Sequence, residues 1–297
     1  MRVFVTGASG WIGSAVVPEL LEAGHDVIGL ARSDDAEMAV LAAGAAVHRG
    51  SLDDPASLRA GAKASDAVIH LAFKHDFADY AGAGRTERAA IEAFGAELAG
   101  SDRPLLFAAG IAQHAPGRLA TENDESTQNG AESGRGGGEQ LALSFVDRGV
   151  RAVSLRFAPT VHGEGDHGFM STIAGVARER GVSGYIGDGT NRWPAVHRSD
   201  VGRLVRLALD SAPAGSRVHA VAEEGVTARE IAEEIGRQLG IPTASIAPSD
   251  ADAHFGWIGR FFAVDMPASS AITREQLGWT PSHPVLLADL AAGYYTR

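Results

Sequence analysis

Gly7, Gly10 and Gly13 recur at three-residue steps directly behind the apolar run Met1 to Val5. From Ile12 the pattern turns helical, with Ile12, Val16, Leu20 and Leu21 at three- and four-residue intervals. Strand, glycine turn and helix together lay a pyrophosphate on a helix N-terminus, where free backbone N–H groups and the helix dipole both attract an anion. In that arrangement Gly7 makes the tight turn, Gly10 lets the backbone approach the phosphates, and Gly13 lets the helix pack on the strand. Ser9, Trp11 and Ile12 fill the same turn and complete the expected dinucleotide-binding set.

Which dinucleotide is bound depends on the end of the second strand, Asp26 to Leu30. An acidic side chain there would accept hydrogen bonds from both ribose hydroxyls of NAD. The sequence reads Leu30-Ala31-Arg32-Ser33 instead. Arg32, with Ser33 beside it, offers a charge-assisted pair to a 2′-phosphate, so NADP(H) is the expected cofactor. The chain has no cysteine, which removes disulfides, thiolate ligands and a cysteine nucleophile together. Its 11 histidines show no HxxxH spacing and no clustered acids, so no metal site is expected.

Alternating elements must position this turn. Helices are expected over Asp34 to Ala43, from Asp54-Pro55, and over Ala81 to Ala99; strands are expected over Ala46 to His48, Ala67 to Leu71 and Pro104 to Ala108. That rhythm predicts an α/β fold, a doubly wound parallel sheet with its ligand at the carboxyl ends of the strands. Residues Ala115 to Gly138 break it with a polar, glycine-rich run that reads as a long mobile surface loop, a candidate gate. A helix over Glu139 to Arg148 and a strand over Arg151 to Phe157 follow. The predicted organisation is a dinucleotide-binding domain over 1–160 plus roughly 190–215, and a smaller discontinuous substrate domain over 161–189 and 216–297.

At 297 residues and 45% hydrophobic content the chain can bury one large core and a smaller one. The first strand starts at once with no basic segment before it, and no apolar run reaches the ~20 residues of a membrane span, so a cytoplasmic location and no membrane partner are expected. A net charge of −11 argues against nucleic acid, which needs a basic footprint. The oligomeric state stays open.

The segments TGASGWIG, DVIGLARS, VIHLAF and GDGTNRWPAVHRSDV resemble the extended and atypical short-chain dehydrogenase/reductases of the NAD-dependent epimerase/dehydratase group. The resemblance runs from residue 1 to TREQLGW near the C-terminus. It implies a Rossmann core, an adenine contact at Ser51 and Leu52, and a ribose–nicotinamide contact at Leu71, Ala72 and Phe73. It further implies a nicotinamide contact from Ala158 and Pro159 to Val161.

The departure from the family is as informative. Members carry Tyr-x-x-x-Lys before the sixth strand, the Tyr moving a proton to or from the substrate oxygen. The only lysines are Lys63 and Lys74, with Arg59 and His70 four residues before them, so the motif is absent. Ala131 and Arg135 fall at the Tyr and Lys positions, and Gly110 at the position of the family's hydroxyl residue. Two readings stay open: a cofactor-sensing regulator without turnover, and a reductase that draws its proton from elsewhere. The chain also resembles angucyclinone-type aromatic polyketide ketoreductases of antibiotic biosynthesis, which implies an aromatic ketone whose own phenol protonates it. On that reading the glycines from Gly134 to Gly138 clear room beside the nicotinamide. His75, Gly110, His114, His162, Phe169 and Trp257 are then candidates for the substrate pocket, and Lys74 for the cofactor ribose or phosphate.

Overall fold

The computed structural model describes residues 1–74, 79–111, 117–127 and 130–296. The first half alternates strand and helix: β1 (Arg2–Thr6), α1 (Gly13–Glu22), β2 (Asp26–Ala31), α2 (Asp34–Ala42), β3 (Ala46–Arg49) and α3 (Pro55–Lys63). Then come β4 (Ala67–His70), α4 (Tyr80–Leu98), β5 (Pro104–Gly110), α5 (Gly138–Ser144) and β6 (Arg151–Phe157). The second half holds β7 (Thr160–His162), α6 (Phe169–Arg180), β8 (Ser183–Ile186), β9 (Arg192–His197), α7 (Arg198–Ser211) and β10 (Arg217–Ala220). It ends with β11 (Glu223–Thr227), α8 (Ala228–Leu239), β12 (Thr243–Ile246), α9 (Ala251–Phe255), α10 (Gly259–Phe262), α11 (Ala271–Leu277) and α12 (Leu286–Ala291).

Seven parallel strands form the main sheet in the order β10-β6-β5-β4-β1-β2-β3. The order reverses between β1 and β4, and that switch point opens a crevice at the strand ends. Val3, Phe4 and Val5 are fully buried, because helices cover both faces of a parallel sheet and leave no solvated side. Local chemistry sets the helix starts: Asp54 accepts from the Ala56 and Ser57 N–H groups ahead of Pro55, and Thr227 and Glu230 form a reciprocal capping box on α8. Two small sheets, β11-β9-β7 and β12-β8, carry the second core around Trp193, Phe255 and Phe262. No described helix is long and apolar enough to cross a membrane.

Three expectations are corrected. The segment from 216 onward does not belong wholly to the smaller unit: β10 pairs with β6, Val218 opposite Leu155, and Trp279 packs in the core of the main sheet. The strand is only four residues with an Arg and a His in it, so its own pattern does not say which sheet it joins. The expected helix to Arg148 stops at Ser144, and a 3₁₀ turn over Val146–Arg148 ends at Gly149 in the left-handed region.

The run 115–138 is anchored across its described part. Ala120 donates to nothing local; its N–H reaches the Pro267 carbonyl (2.9 Å) and its own carbonyl accepts from Ser269 (2.8 Å). Buried Glu122 accepts from the Thr273 N–H (2.7 Å), and Arg156 holds the Asp124 carbonyl (2.8 Å). Composition pointed to a free loop because most of these anchors are main-chain groups and their partners lie far away in sequence.

Candidate functional site

Gly7 has φ +71°, and a Cβ there would stand 2.9 Å from the Ala72 nitrogen at the end of β4. A Cβ on Gly13 would lie 2.0 Å from the Gly7 carbonyl oxygen, so both positions exclude side chains. Gly10 donates to the Gly7 carbonyl (2.9 Å), while the Trp11 and Ile12 N–H groups have no partner among the described residues. The turn is a cradle with backbone donors at the head of α1, and a pyrophosphate fits it.

Beside it lies a cleft of about 540 Å³. Gly7, Ser9, Arg32, Ser51, Leu52, Ala72, Phe73 and Lys74 share its wall, joined by Leu30, Ala36, Gly50 and Asp53, which sequence reasoning did not single out. Arg32 is exposed and has no ion pair among the described residues, whereas Lys74 pairs with Asp53. Ala31, at the end of β2, is fully buried. Ser33 caps α2 with its hydroxyl and is absent from the cleft wall. Trp11 turns its ring away to fasten the turn, donating to the Val161 carbonyl (2.8 Å) with Arg198 stacked on it (4.2 Å). Leu71 donates its N–H to the Thr6 carbonyl, and Ala158 and Pro159 continue from β6 at the same end of the sheet.

At the ends of β4 and β5 the structure assembles groups that the spacing hid. The Thr6 hydroxyl accepts from the Ala72 N–H (3.2 Å) and is hydrogen-bonded to His70 Nδ1, 2.6 Å away. His70 Nε2 is buried without a partner. Burial first, and the Arg135 charge second, lower the His70 pKa to about 3. His70 is therefore neutral at working pH and is no source of protons. Because the unfolded chain carries an ordinary imidazole, stability is lost as pH falls from ~6.5 toward that value, at up to ~1.4 kcal/mol per unit. Between pH 7 and 5 wild type should lose about 2 kcal/mol more than His70→Asn in urea titrations; equal losses would show that His70 is not buried as an uncharged ring.

Arg135 ion-pairs with buried Glu87 of α4 and stacks 4.4 Å from the centroid of Phe73. Gly110 ends β5 with open space where a side chain would be, and Ala131 is exposed in a turn. At Gly137 and Gly138 the glycine run does not clear a cleft. A Cβ on Gly137 would meet the Gly130 backbone at 2.6 Å, and one on Gly138 would meet the Phe107 ring at 2.9 Å, so those glycines serve close packing.

On the substrate side, His162 is corrected. It is fully buried, bonded through Nδ1 to Asp289 (2.6 Å), and belongs to the core under β7 and β9 rather than to a pocket wall. All three residues of β7 are buried, so an inward His needs a buried carboxylate partner. Phe169 and Trp257 do meet, at 6.1 Å between ring centroids, with Phe261 5.0 Å from Phe169 and Trp257 55% exposed. His75 and His114 lie outside the described residues. Among the described residues no group of three or more His, Cys, Asp or Glu could hold a metal ion.

Residues 3–92 match the NAD dependent epimerase/dehydratase family. An uncharacterised protein of Schizosaccharomyces pombe is 47% identical over 99% of this chain and 100% of its own length. One from Saccharomyces cerevisiae is 43% identical over 99% of each. A solved dTDP-glucose 4,6-dehydratase from Streptomyces venezuelae, DesIV, with NAD bound, overlays with TM-score 0.79 at 19% identity, covering 99% of this chain and 96% of its own.

The chain belongs to the NAD dependent epimerase/dehydratase family.

Family members bind NAD(P) and are oxidoreductases or epimerases. The 2-alkyl-3-oxoalkanoate reductase of Stenotrophomonas maltophilia is a more distant relative, 26% identical over 84% of this chain and 79% of its own.

Proposed function

We propose that this family member reduces a ketone on an apolar, polycyclic aromatic molecule at the expense of NADPH. The observation that carries the reading is the cleft wall at the end of β2, where Arg32 stands unpaired and no carboxylate replaces Ala31. A 2′-phosphate satisfies that arginine; a bare ribose does not. Bound in this cleft, NADPH supplies the hydride. Ser51 and Leu52 would hold the adenine end, and Ala72, Phe73 and Lys74 the following ribose and phosphate.

The substrate class follows from two features. The exposed Trp257, with Phe169 and Phe261 tilted against one another beside it, offers an apolar aromatic surface for a ring system. Ala131 and Gly110 offer no hydroxyl, which favours a ketone able to protonate itself. The fungal relatives that match along the whole chain lend no support to an antibiotic-biosynthetic setting.

NADPH oxidation should be followed with a polycyclic ortho-hydroxyaryl ketone, an acyclic β-keto acid and UDP-glucose. Turnover of the first is expected. Reduction of the β-keto acid alone would replace the substrate class, and tight NADPH binding without any turnover would turn the reading to a cofactor-sensing regulator. Separately, Arg32→Ala should weaken NADPH by ~1.5–3 kcal/mol and leave NADH almost unchanged in fluorescence titrations. Equal losses for the two cofactors would refute the 2′-phosphate assignment.

A further inference from the structure

Among the described residues, two that are not glycine have positive φ: Asp102 at +54° and Arg135 at +56°. An aspartate enters that region readily in turns, but a long cationic side chain held there calls for a cause. Arg135 also sits beside a carboxylate that has no other reason to be buried. Glu87 is 2% exposed inside α4, and both its oxygens go to Arg135, Nε reaching Oε2 at 3.3 Å and Nη2 reaching Oε1. Nη2 also donates to the Ala108 carbonyl (3.2 Å), two residues before Gly110. Its guanidinium covers the ring of Phe73, which lines the cofactor cleft. Nη1 has no partner among the described residues, and the side chain is still 28% exposed.

An arginine locked by a buried acid on one edge, and left with free N–H groups on the other, is a fixed donor with its own counter-charge. It stands where β4 and β5 end, on the Ala108 carbonyl and over the Phe73 ring. We infer that Arg135 holds the carbonyl oxygen of the substrate and the negative charge that develops on it during reduction. This rests on the reductase reading. As the carbonyl carbon takes up hydride, the C=O pair moves to oxygen, and the Nη1 donor stabilises that oxyanion. A guanidinium does not give up its proton near neutrality, so the alkoxide is protonated by the substrate's phenol or by water, and the phenolate then regains a proton from solvent. Glu87 is the positioning residue, fixing the fork.

The competing view is that Arg135 only neutralises Glu87. The paired variant Glu87→Gln with Arg135→Gln separates the two, because it removes both charges while keeping an amide pair of similar shape. It also remains testable where Arg135→Gln alone does not fold. Two readouts are needed. The first is single-turnover hydride transfer with a ketone that wild type reduces, expected to fall about 10²–10³-fold with NADPH affinity unchanged. The second needs no turnover: 1-hydroxy-2-naphthoate, whose carboxylate stands in for the oxyanion next to a phenol, should bind the NADP⁺-loaded wild type and lose at least about ten-fold in the paired variant. Arg135→Lys should recover part of the naphthoate binding. Wild-type rate or naphthoate binding in a folded paired variant would overturn the assignment. If no ketone is reduced by wild type but naphthoate binding still depends on Arg135, the reductase reading fails while the anion site stands.

Discussion

Arg156→Met is expected to destabilise the protein by about 3–5 kcal/mol, the scale for removing one partner of a buried ion pair. Arg156 is fully buried and Glu139 7% exposed. Arg156 Nε donates to Glu139 Oε1 at 2.6 Å and Nη2 to Oε2 at 3.0 Å, while the Ser154 hydroxyl donates to Oε1 at 2.5 Å. On its other edge Nη1 reaches the Asp124 carbonyl (2.8 Å) and His219 Nε2 (3.3 Å). His219 therefore carries its proton on Nδ1, donating to the Ser269 carbonyl (2.8 Å). One side chain thus joins α5, β6, β10, the segment around Asp124 and the chain before α11. Methionine would fill the volume but leave the Glu139 charge buried and the Asp124 carbonyl unbonded. Replacing both charges, with Glu139→Leu added, should recover part of the loss, since no buried charge is left unpaired even though the Asp124 carbonyl and Ser154 hydroxyl lose their partners. Urea titrations measure the stabilities. Limited proteolysis near Leu119 should cut Arg156→Met faster than wild type, because the tether is lost. A loss under ~1 kcal/mol, or no recovery in the pair, would mean that this network does not hold the fold together.

The same network marks where the sequence was legible and where it was not. The glycine turn could be read directly because its logic is local: Gly7 needs a positive φ and Gly13 has no room for a Cβ, and both lie within a dozen residues of the strand they serve. Arg32, Ser51, Ala72 and Phe73 come to one cleft for a similar reason. Each lies within three residues of a strand end, and parallel strands carry their ends to one edge of the sheet. Glu87 gave no signal. It lies on a helix 48 residues before Arg135, and an acid on a helix reads as a solvated face until the tertiary structure buries it. His162 misled in the opposite way, since a His near a binding segment suggests a pocket. Its partner Asp289 lies 127 residues later, and only that contact shows it to be a satisfied core residue. The segment 117–127 failed on composition: its anchors are the Glu122 side chain and the main chain of Ala120 and Asp124, and composition does not distinguish such groups tied to Thr273, Pro267 or Arg156 from ones tied to water.

A ketone whose neighbouring phenol is methylated should be reduced about 10²–10⁴-fold more slowly than the free phenol, the range expected when a general acid is removed. The groups at the strand ends give the reason. Ala131 is exposed and without a proton to give, and Gly110 has no side chain. His70, with its pKa lowered to about 3, is neutral at working pH, and His162 is sealed in the core by Asp289. Arg135 can hold an oxyanion but stays protonated throughout. None of these described groups supplies the proton, so on the proposed reading it comes from the substrate or from water, and a phenol hydrogen-bonded to the carbonyl is already positioned to deliver it. Methylation removes that proton while adding little bulk, so binding should change far less than rate. Single-turnover hydride transfer with the paired phenol and methyl ether measures the ratio directly, with NADPH saturating. Substituting His75 or His114 singly should cost much less than methylation, and Ala131→Tyr should not rescue the ether, since position 131 is exposed in a turn that would not orient the new hydroxyl. Equal rates for phenol and ether, together with collapse in one histidine variant, would identify that histidine as the acid and end the case for a self-protonating substrate.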